Sequence, residues 1–384
     1  MSSAMASLFA GGYIVVPPTW DKTGAADHRA IQAAIAAMTF PAESRSQGTV
    51  ILSGAQYYFN APIVIGSETD PSVKSCNLVT VGQTANLTYV NQGEATTQYL
   101  LNVHGNTYSP TPRVSGLYLN CSGLCRGLKF NQTYMAGVEN TMVFNARQVA
   151  VDWVSAWKTK ATNLHIWYTD GISLRVNDSQ GSIFDNLRIS CTSPNSWPDI
   201  HDTTVKDHEG VSVQTPEAGR AAIYIRSQDL TFRSLMLEAN EMGSLPLCYL
   251  SSAAAGIRFT ENIYCEGNAS ADCYFRIAGS ASNESTYGMD FRFENVSKHD
   301  ATALPTFIRT SGYIDRVVVN GIRGTKATSG MTNIIVCDGK SSRLYRPEVR
   351  GARLGIARKH QIVSANGGVI ETKEPYSIDY QVIE

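Results

Sequence analysis

The stretch Asn163-Leu-His-Ile-Trp167 is one of several short copies in which an asparagine is followed by alternating apolar residues. Two more copies are Asn140-Thr-Met-Val-Phe144 and Asn186-Leu-Arg-Ile-Ser190, and a fourth, Gly116-Leu-Tyr-Leu-Asn120, has glycine in place of asparagine. The first residues of successive copies are 24, 23 and 23 positions apart. Periods in this range are typical of solenoids, so each repeat is predicted to form one coil.

The alternation within the repeats indicates β-strands. Leu164–Trp167 and Ile172–Val176 place apolar side chains on every second position, which is the period of a strand and not of a helix. Leucine-rich repeats have similar periods, but the chain has no Leu-x-x-Leu-x-Leu consensus and no helical half in each repeat. The predicted fold class is therefore all-β, a parallel β-helix whose coils stack about 4.8 Å apart. Equivalent positions of successive coils then form columns on the outer surface.

Length and composition are those of one long folded domain. A solenoid grows by adding coils, so 384 residues need not divide into several domains. The net charge of −1 makes neither a nucleic acid nor a membrane an expected partner. The eight cysteines follow neither a dense disulfide pattern nor a CxxC metal pattern, and neither a metal nor another cofactor is predicted. No signal peptide is recognised, and composition alone leaves the location of the protein unknown.

Three regions are predicted along the chain. Residues 1–47 contain a strand and a helix capped by Asp27, which is expected to cover the open end of the solenoid. Residues 48–342 form the β-helix, which an inserted loop interrupts at residues 191–220. Residues 343–384 form a C-terminal coil with closing strands or a subunit contact.

The N-terminal segments resemble a known superfamily. Asp27-His-Arg-Ala-Ile-Gln-Ala-Ala-Ile-Ala-Ala37, Gly48-Thr-Val-Ile-Leu-Ser-Gly-Ala-Gln-Tyr-Tyr-Phe59 and Pro62-Ile-Val-Ile65 are similar to the N-terminal motif of pectate-lyase-like β-helices, which include phage tailspike depolymerases. The sequence departs from that motif at Leu52-Ser-Gly-Ala55, where the superfamily usually has a Pro-Ala-Gly turn. The resemblance implies a right-handed parallel β-helix with an N-terminal capping helix, a homotrimer and activity on polysaccharides. It carries no catalytic residues.

The outward columns contain the candidate site residues. Counting from each first residue, odd positions such as Leu164 and Ile166 face inward and even positions face outward. Phe144 and Trp167 occupy the fourth position of adjacent coils, and large aromatics on a solvent-facing position can present flat apolar faces to sugar rings. We therefore expect both to bind substrate.

Two glutamates follow in the same column. Glu238 and Glu266 are each four positions after a repeat start, at Ser234 and Asn262, so they are predicted to lie on neighbouring coils. Like charges held close together make one of the two groups keep its proton, and an acid beside an ionised base is what glycoside hydrolysis requires. The spacing does not choose between retention and inversion of the anomeric centre.

A second column supports a different reaction. His165, Arg188 and Tyr264 occupy the second position of their coils. A β-eliminating lyase needs a base such as His or Tyr and a cation beside the uronate carboxylate, and these three residues include both. Elimination is therefore the alternative to hydrolysis.

The inserted loop is the most ionisable stretch of the chain. Loops on solenoids commonly shape the binding face, so Trp197, Asp199 and His201 are expected to contact substrate. The predicted function is cleavage of a bacterial capsular polysaccharide or exopolysaccharide by a glycoside hydrolase or a polysaccharide lyase. A non-catalytic carbohydrate-binding or virion structural protein is the alternative outside the enzymes.

Overall fold

The structure of the chain is a computed structural model. It describes residues 12–41, 47–70, 73–91, 93–105, 112–197, 220–269, 273–280, 289–299, 306–324, 333–340, 342–351, 360–371 and 380–382. The chain divides into two compact units, Met1–Leu187 and Arg188–Glu384. The predicted boundaries at residues 47 and 342 stay predictions.

One helix and a series of strands make up the first unit. The helix is α1 (Ala25–Ala37), and among the described residues no helix is long and apolar enough to cross a membrane. The strands are β1 (Tyr13–Val16), β2 (Phe40–Pro41), β3 (Thr49–Leu52), β4 (Gln56–Phe59), β5 (Ile63–Ile65), β6 (Val73–Lys74), β7 (Asn77–Thr80), β8 (Ala85–Tyr89), β9 (Tyr99–His104), β10 (Arg113–Ser115), β11 (Leu117–Asn120), β12 (Arg126–Asn131), β13 (Gly137–Val154) and β14 (Lys160–Gln180).

The described residues of the second unit contain strands and the turns between them, and no helix. The first five residues of its first strand, β15, belong to the first unit. The strands are β15 (Ile183–Ser193), β16 (Ile223–Gln228), β17 (Thr231–Glu238), β18 (Cys248–Leu250), β19 (Ile257–Glu266), β20 (Phe275–Ala278), β21 (Asp290–Lys298), β22 (Thr306–Ser311), β23 (Tyr313–Gly324), β24 (Asn333–Asp338), β25 (Arg343–Arg350), β26 (His360–Ala365), β27 (Val369–Ile370) and β28 (Tyr380–Val382).

Parallel pairing one coil apart builds both units. In the first unit, β13 and β14 pair in parallel with a constant offset of 23 residues, for example Thr141 with Leu164. In the second unit, β17 and β19 pair in parallel, and Leu235 lies beside Ile263. The short β2–β6 pair is antiparallel. The predicted class, an all-β parallel β-helix with an N-terminal helix, is confirmed.

Side chains that point inward form the core of each unit. Leu164 and Ile166 are buried in the first unit, as the alternating pattern predicts. In the second unit, Phe232, Phe259 and Phe293 stack along the coil axis with ring centroids 4.8 and 5.1 Å apart. Burying one such ring contributes about 1.5–3 kcal/mol, so the column stabilises the stacking of coils.

The repeat residues occupy corners with a left-handed backbone. Gly116, Asn140, Asn163 and Asn186 have φ of 76°, 48°, 52° and 55°. This conformation costs most residues about 1–2 kcal/mol, whereas glycine and asparagine adopt it readily. The asparagine amides also form a ladder, because Asn163 donates to Asn140 Oδ1 at 2.8 Å and Asn186 donates to Asn163 Oδ1 at 2.7 Å.

Two predicted repeat starts in the second unit are wrong by one residue. Besides Asn262, the asparagine pattern predicts a repeat start at Asn320. The corner residues are instead Glu261 and Gly321. A bulge explains the first shift, since the pairing skips between Arg233 and Leu235 and adds one residue on the neighbouring coil. The register beyond the bulge is the one that a count from Asn262 gives.

Asp27 does not cap the helix, contrary to the prediction. Gly24, with φ of 81°, is the N-cap residue, and the Asp21 carboxylate accepts the backbone N–H of Ala26 at 2.9 Å. Asp27 lies buried in the first turn, where it accepts hydrogen bonds from the backbone N–H groups of Thr19 and Tyr58 at 2.7 and 2.8 Å. It therefore fixes the helix to the first coil.

Helix α1 closes the edge of the first coil. Gln32 Nε2 donates to Val64 O at 2.9 Å, and the Val64 N–H donates to Gln32 Oε1 at 3.0 Å. On its other side, β5 pairs with β9. The side-chain amide thus takes the place of a neighbouring strand, as expected for a capping helix.

Candidate functional site

Glu238 and Glu266 are partners on adjacent parallel strands of the second unit. Neighbouring strands lie about 4.8 Å apart, so the two carboxylates project from the same face one coil apart. Each ends its strand at a left-handed corner, formed by Ala239 with φ of 51° and Gly267 with φ of 65°. The corners turn the chain immediately after both glutamates.

Buried asparagines support the strand ends from inside. Asn240 and Asn268, each two residues after a glutamate, are fully buried. Asn240 Nδ2 donates to Asn268 Oδ1 at 2.9 Å, and Asn268 Nδ2 donates to Leu237 O at 3.0 Å. The Thr192 N–H donates to Asn240 Oδ1 at 3.0 Å. Because every one of these groups is buried and paired, the backbone that carries the glutamates is held in one conformation.

Cationic and hydroxyl donors hold the carboxylate of Glu238. The Arg188 guanidinium donates from both Nε, at 2.9 Å, and Nη2 to Glu238 Oε2. The Ser190 hydroxyl lies 3.4 Å from the same oxygen. Three donor atoms thus converge on one oxygen of the carboxylate and fix its orientation.

Glu266 has a different set of neighbours. The Tyr264 hydroxyl donates to Glu266 Oε2 at 2.6 Å. The ring of Tyr264 stacks on that of His299, with centroids 5.0 Å apart and planes at 28°. The sequence analysis missed His299, although it stands four positions after the repeat start at Asn295 and so belongs to the same column as Glu266. The repeat spacing that predicts the position of Glu266 also predicts that of His299.

Aromatic side chains form an outward cluster in the first unit. Phe144 pairs with Trp167 on adjacent strands, and their ring centroids are 5.8 Å apart. Trp167 stacks between two more rings, with Tyr168 at 5.2 Å and His165 at 5.7 Å. Tyr118 extends the cluster to the preceding coil, 5.7 Å from Phe144. We call these five residues the aromatic face.

The remaining predicted site residues are distributed as follows. His165 belongs to the aromatic face of the first unit, whereas Arg188 and Tyr264 lie in the second unit with the glutamates. Trp197 donates from Nε1 to Pro194 O at 3.0 Å, and the Arg220 guanidinium lies 5.5 Å from its ring centroid. Asp199 and His201 lie outside the described residues. Within the described parts of the chain, no group of three His, Cys, Asp or Glu side chains is arranged to hold a metal ion.

Fold and surface together define a parallel β-helix protein with an aromatic face in one unit and a glutamate pair in the other. No family model matches the chain, and no curated protein does. A similar solved structure is ORF18 of Geobacillus virus E2, with 10% identity and a TM-score of 0.53 over 81% of this chain. The match spans 57% of the length of the viral protein.

Further structures have lower TM-scores. An alginate lyase from Paenibacillus sp. str. FPU-7 is 9% identical, with a TM-score of 0.39 over 94% of this chain and 99% of the lyase. The catalytic unit of an α-1,3-glucanase from Streptomyces thermodiastaticus is 13% identical, with a TM-score of 0.42 over 94% of this chain and 68% of the glucanase. At these identities a likeness is one of fold, and the viral protein agrees with the β-helix that the N-terminal motif implies.

Proposed function

We propose that the protein cleaves glycosidic bonds of a polysaccharide by hydrolysis, with Glu238 and Glu266 as the catalytic pair. The observation that carries this proposal is the pairing of the two glutamates on adjacent strands with different hydrogen-bond partners. Hydrolysis of a glycoside needs one carboxyl group as acid and one as nucleophile or base. Two carboxyl groups in unlike surroundings can take these unlike roles.

The surroundings assign the roles. Glu238 is the nucleophile or base, because Arg188 and Ser190 donate to its Oε2 and hold the carboxylate in one orientation. Glu266 is the acid that protonates the leaving oxygen. It is exposed, and the hydrogen bond from the Tyr264 hydroxyl to Oε2 orients its carboxyl group.

The aromatic face supports a carbohydrate as the ligand. Trp167 and Phe144 are half-buried and outward, and Tyr168 is 49% exposed. Rings in this arrangement offer apolar faces against which the C–H groups of a pyranose can pack. A bacterial capsular polysaccharide or exopolysaccharide is the proposed substrate class.

The test is an assay of the full chain against a panel of neutral and acidic polysaccharides. We expect new reducing ends without the absorbance of an unsaturated uronate. Glu238→Gln and Glu266→Gln should each lower turnover by about 10²–10⁴-fold, the usual contribution of a positioned acid or base. Glu261→Gln is the matched control, because Glu261 is an exposed glutamate of the same strand as Glu266. Unchanged turnover in either of the first two variants contradicts the assignment.

β-Elimination on a uronate is the second candidate, and one observation favours it. Tyr264, a possible base, and Arg188, a possible counter-ion for the uronate, both lie in the second unit beside the glutamates. In that reaction the phenolate form of Tyr264 removes the C5 proton, and the C4–O bond breaks as a C4–C5 double bond forms. The leaving oxygen takes up a proton from water, and the guanidinium neutralises the sugar carboxylate. Reducing ends that form together with the unsaturated-uronate absorbance, and that are lost in Tyr264→Phe, indicate elimination.

Assembly and biological context remain predictions. A homotrimer and a phage tailspike role follow from the resemblance of the N-terminal motif, and sedimentation of the full chain measures the first. Binding of a polysaccharide without any new reducing ends would instead indicate a non-catalytic carbohydrate-binding or virion structural protein.

A further inference from the structure

A second polar cluster lies on another face of the first unit. Lys129, Asp152 and Arg175 are partners on three successive parallel strands and form one outward column. The corner at Asn145–Gln148, where φ is 52° and 64° at its two ends, separates this column from the aromatic face. Both surfaces are therefore carried by the same coils.

The centre of the cluster is a buried carboxylate. Asp152 is 0% exposed, and Arg175 binds it through Nε to Oδ1 at 2.8 Å and through Nη2 to Oδ2 at 2.5 Å. The Tyr99 hydroxyl donates to Asp152 Oδ2 at 2.6 Å. Burial is the largest cause that raises the pKa of Tyr99, so the phenol stays protonated and serves as a donor. Asp152 and Arg175 thus neutralise each other.

Two further cations surround the same tyrosine. The Arg126 guanidinium lies 5.4 Å and the Lys129 ammonium 5.9 Å from the Tyr99 ring centroid. Arg126 donates from Nε and Nη2 to Gln148 Oε1 at 3.1 and 2.7 Å, which holds its guanidinium in place. Among the described residues, neither Arg126 nor Lys129 forms a salt bridge with a carboxylate. The cluster therefore has three cations and one anion, with two positive charges not compensated.

We propose that Arg126 and Lys129 form a binding site for the carboxylate of an acidic sugar, such as a uronate residue of a glycan. The paired Asp152 and Arg175 act as the rigid base of this site, and the fixed guanidinium of Arg126 offers its remaining N–H groups to one carboxylate. A glycan is the occupant because the same coils carry the aromatic face across one corner.

This site does not depend on the proposed catalytic pair. It lies in the first unit and needs no bond to be cleaved. The chain has a net charge of only −1, so the local excess of cations does not follow from a generally basic protein.

The test is a titration of the full chain with hexagalacturonate, with maltohexaose as the neutral probe and with inorganic sulfate. We expect hexagalacturonate to bind more tightly than either, and its affinity to fall as salt rises. Lys129→Met and Arg126→Met should each weaken hexagalacturonate at least tenfold and leave maltohexaose unchanged. Lys158→Met is the matched control, since its ammonium lies 5.7 Å from the Tyr134 ring on another part of the same unit.

Three results overturn the proposal. They are equal affinity for hexagalacturonate and maltohexaose, tighter binding of sulfate than of hexagalacturonate, or the same affinity in Lys129→Met as in Lys158→Met. The reversal of charge in Lys129→Glu gives a further readout, because a folded variant should repel the acidic probe and still bind the neutral one. Since the readout is binding, failure here is distinct from failure of the proposed hydrolysis, which is measured by reducing ends.

Discussion

Asn240 and Asn268 are stacked in the interior of the second unit, and the side chain of one donates to that of the other at 2.9 Å. The pair lies directly behind the corners that follow Glu238 and Glu266. This hydrogen bond joins the two neighbouring coils two residues after the glutamates, next to the positions from which the carboxylates project. The geometry of the proposed catalytic pair therefore depends on two residues that no substrate touches.

Removal of the interior amides should destabilise the protein. Asn240→Ala leaves the Thr192 N–H and the Asn268 side chain without their partners, and an unsatisfied buried group costs about 1–3 kcal/mol. We expect a loss of that size in the free energy of unfolding, measured by urea denaturation. Asn320→Ala is the control, because Asn320 is an exposed asparagine of β23 whose backbone is not left-handed. An Asn240→Ala variant as stable as the control would contradict the structural role.

Trp167 should contribute to glycan affinity. Trp167→Ala removes the central ring of the aromatic face, and a ring contact of about 1.4 kcal/mol corresponds to tenfold in Kd. The affinity for a bound polysaccharide, measured by affinity electrophoresis, should fall by about that factor. Trp157→Ala is the control, because Trp157 is 43% exposed and its Nε1 donates to Asp178 O at a different corner. Equal losses in the two variants would remove the assignment of a binding face.

His104 should make the stability of the first unit depend on pH. The side chain is 6% exposed, and burial lowers the pKa of His104 below its ordinary value of 6.5, with Lys129 acting in the same direction and Glu68 in the opposite one. Below pH 6.5 the unfolded chain therefore binds a proton that the native histidine resists. The free energy of unfolding consequently decreases as the pH is lowered below 6.5. Above pH 6.5 the histidine is neutral in both states, so His104 no longer makes the free energy of unfolding depend on pH.

Urea denaturation between pH 5.5 and 7.5 measures this contribution. His104→Gln should show a shallower fall in the free energy of unfolding below pH 6.5, by at most about 1.4 kcal/mol per pH unit. His299→Gln, which replaces an exposed histidine, is the control. A slope that His104→Gln does not alter would assign the pH dependence to other groups.

Spacing alone was sufficient to predict which residues are neighbours across coils. Phe144 beside Trp167 and Glu238 beside Glu266 are both observed pairings, because the offset between parallel strands equals the repeat length. The prediction for Glu266 held in spite of the bulge at Glu261, since the extra residue lies before Ile263, from which the pairing runs in register to Glu266. The catalytic and binding roles of these residues stay predictions.

Side-chain partners could not be predicted in the same way. The hydrogen bond between Arg188 and Glu238 joins residues at the second and fourth positions of their repeats. It depends on side-chain rotamers that a repeat pattern does not specify. The cluster around Tyr99 was missed because the coils before residue 112 have irregular lengths, and Arg126 pairs with Tyr99 at an offset of 27 residues. Contacts of long, flexible side chains are thus the part of the site that requires coordinates.

The amide of Gln32 has a wider effect than the stability of one helix. An uncovered row of backbone donors and acceptors at the end of a solenoid is a template on which another molecule can add a strand. Gln32 forms hydrogen bonds with both the backbone N–H and the carbonyl of Val64. The backbone of Val64 is thereby closed to pairing with a strand of a second molecule.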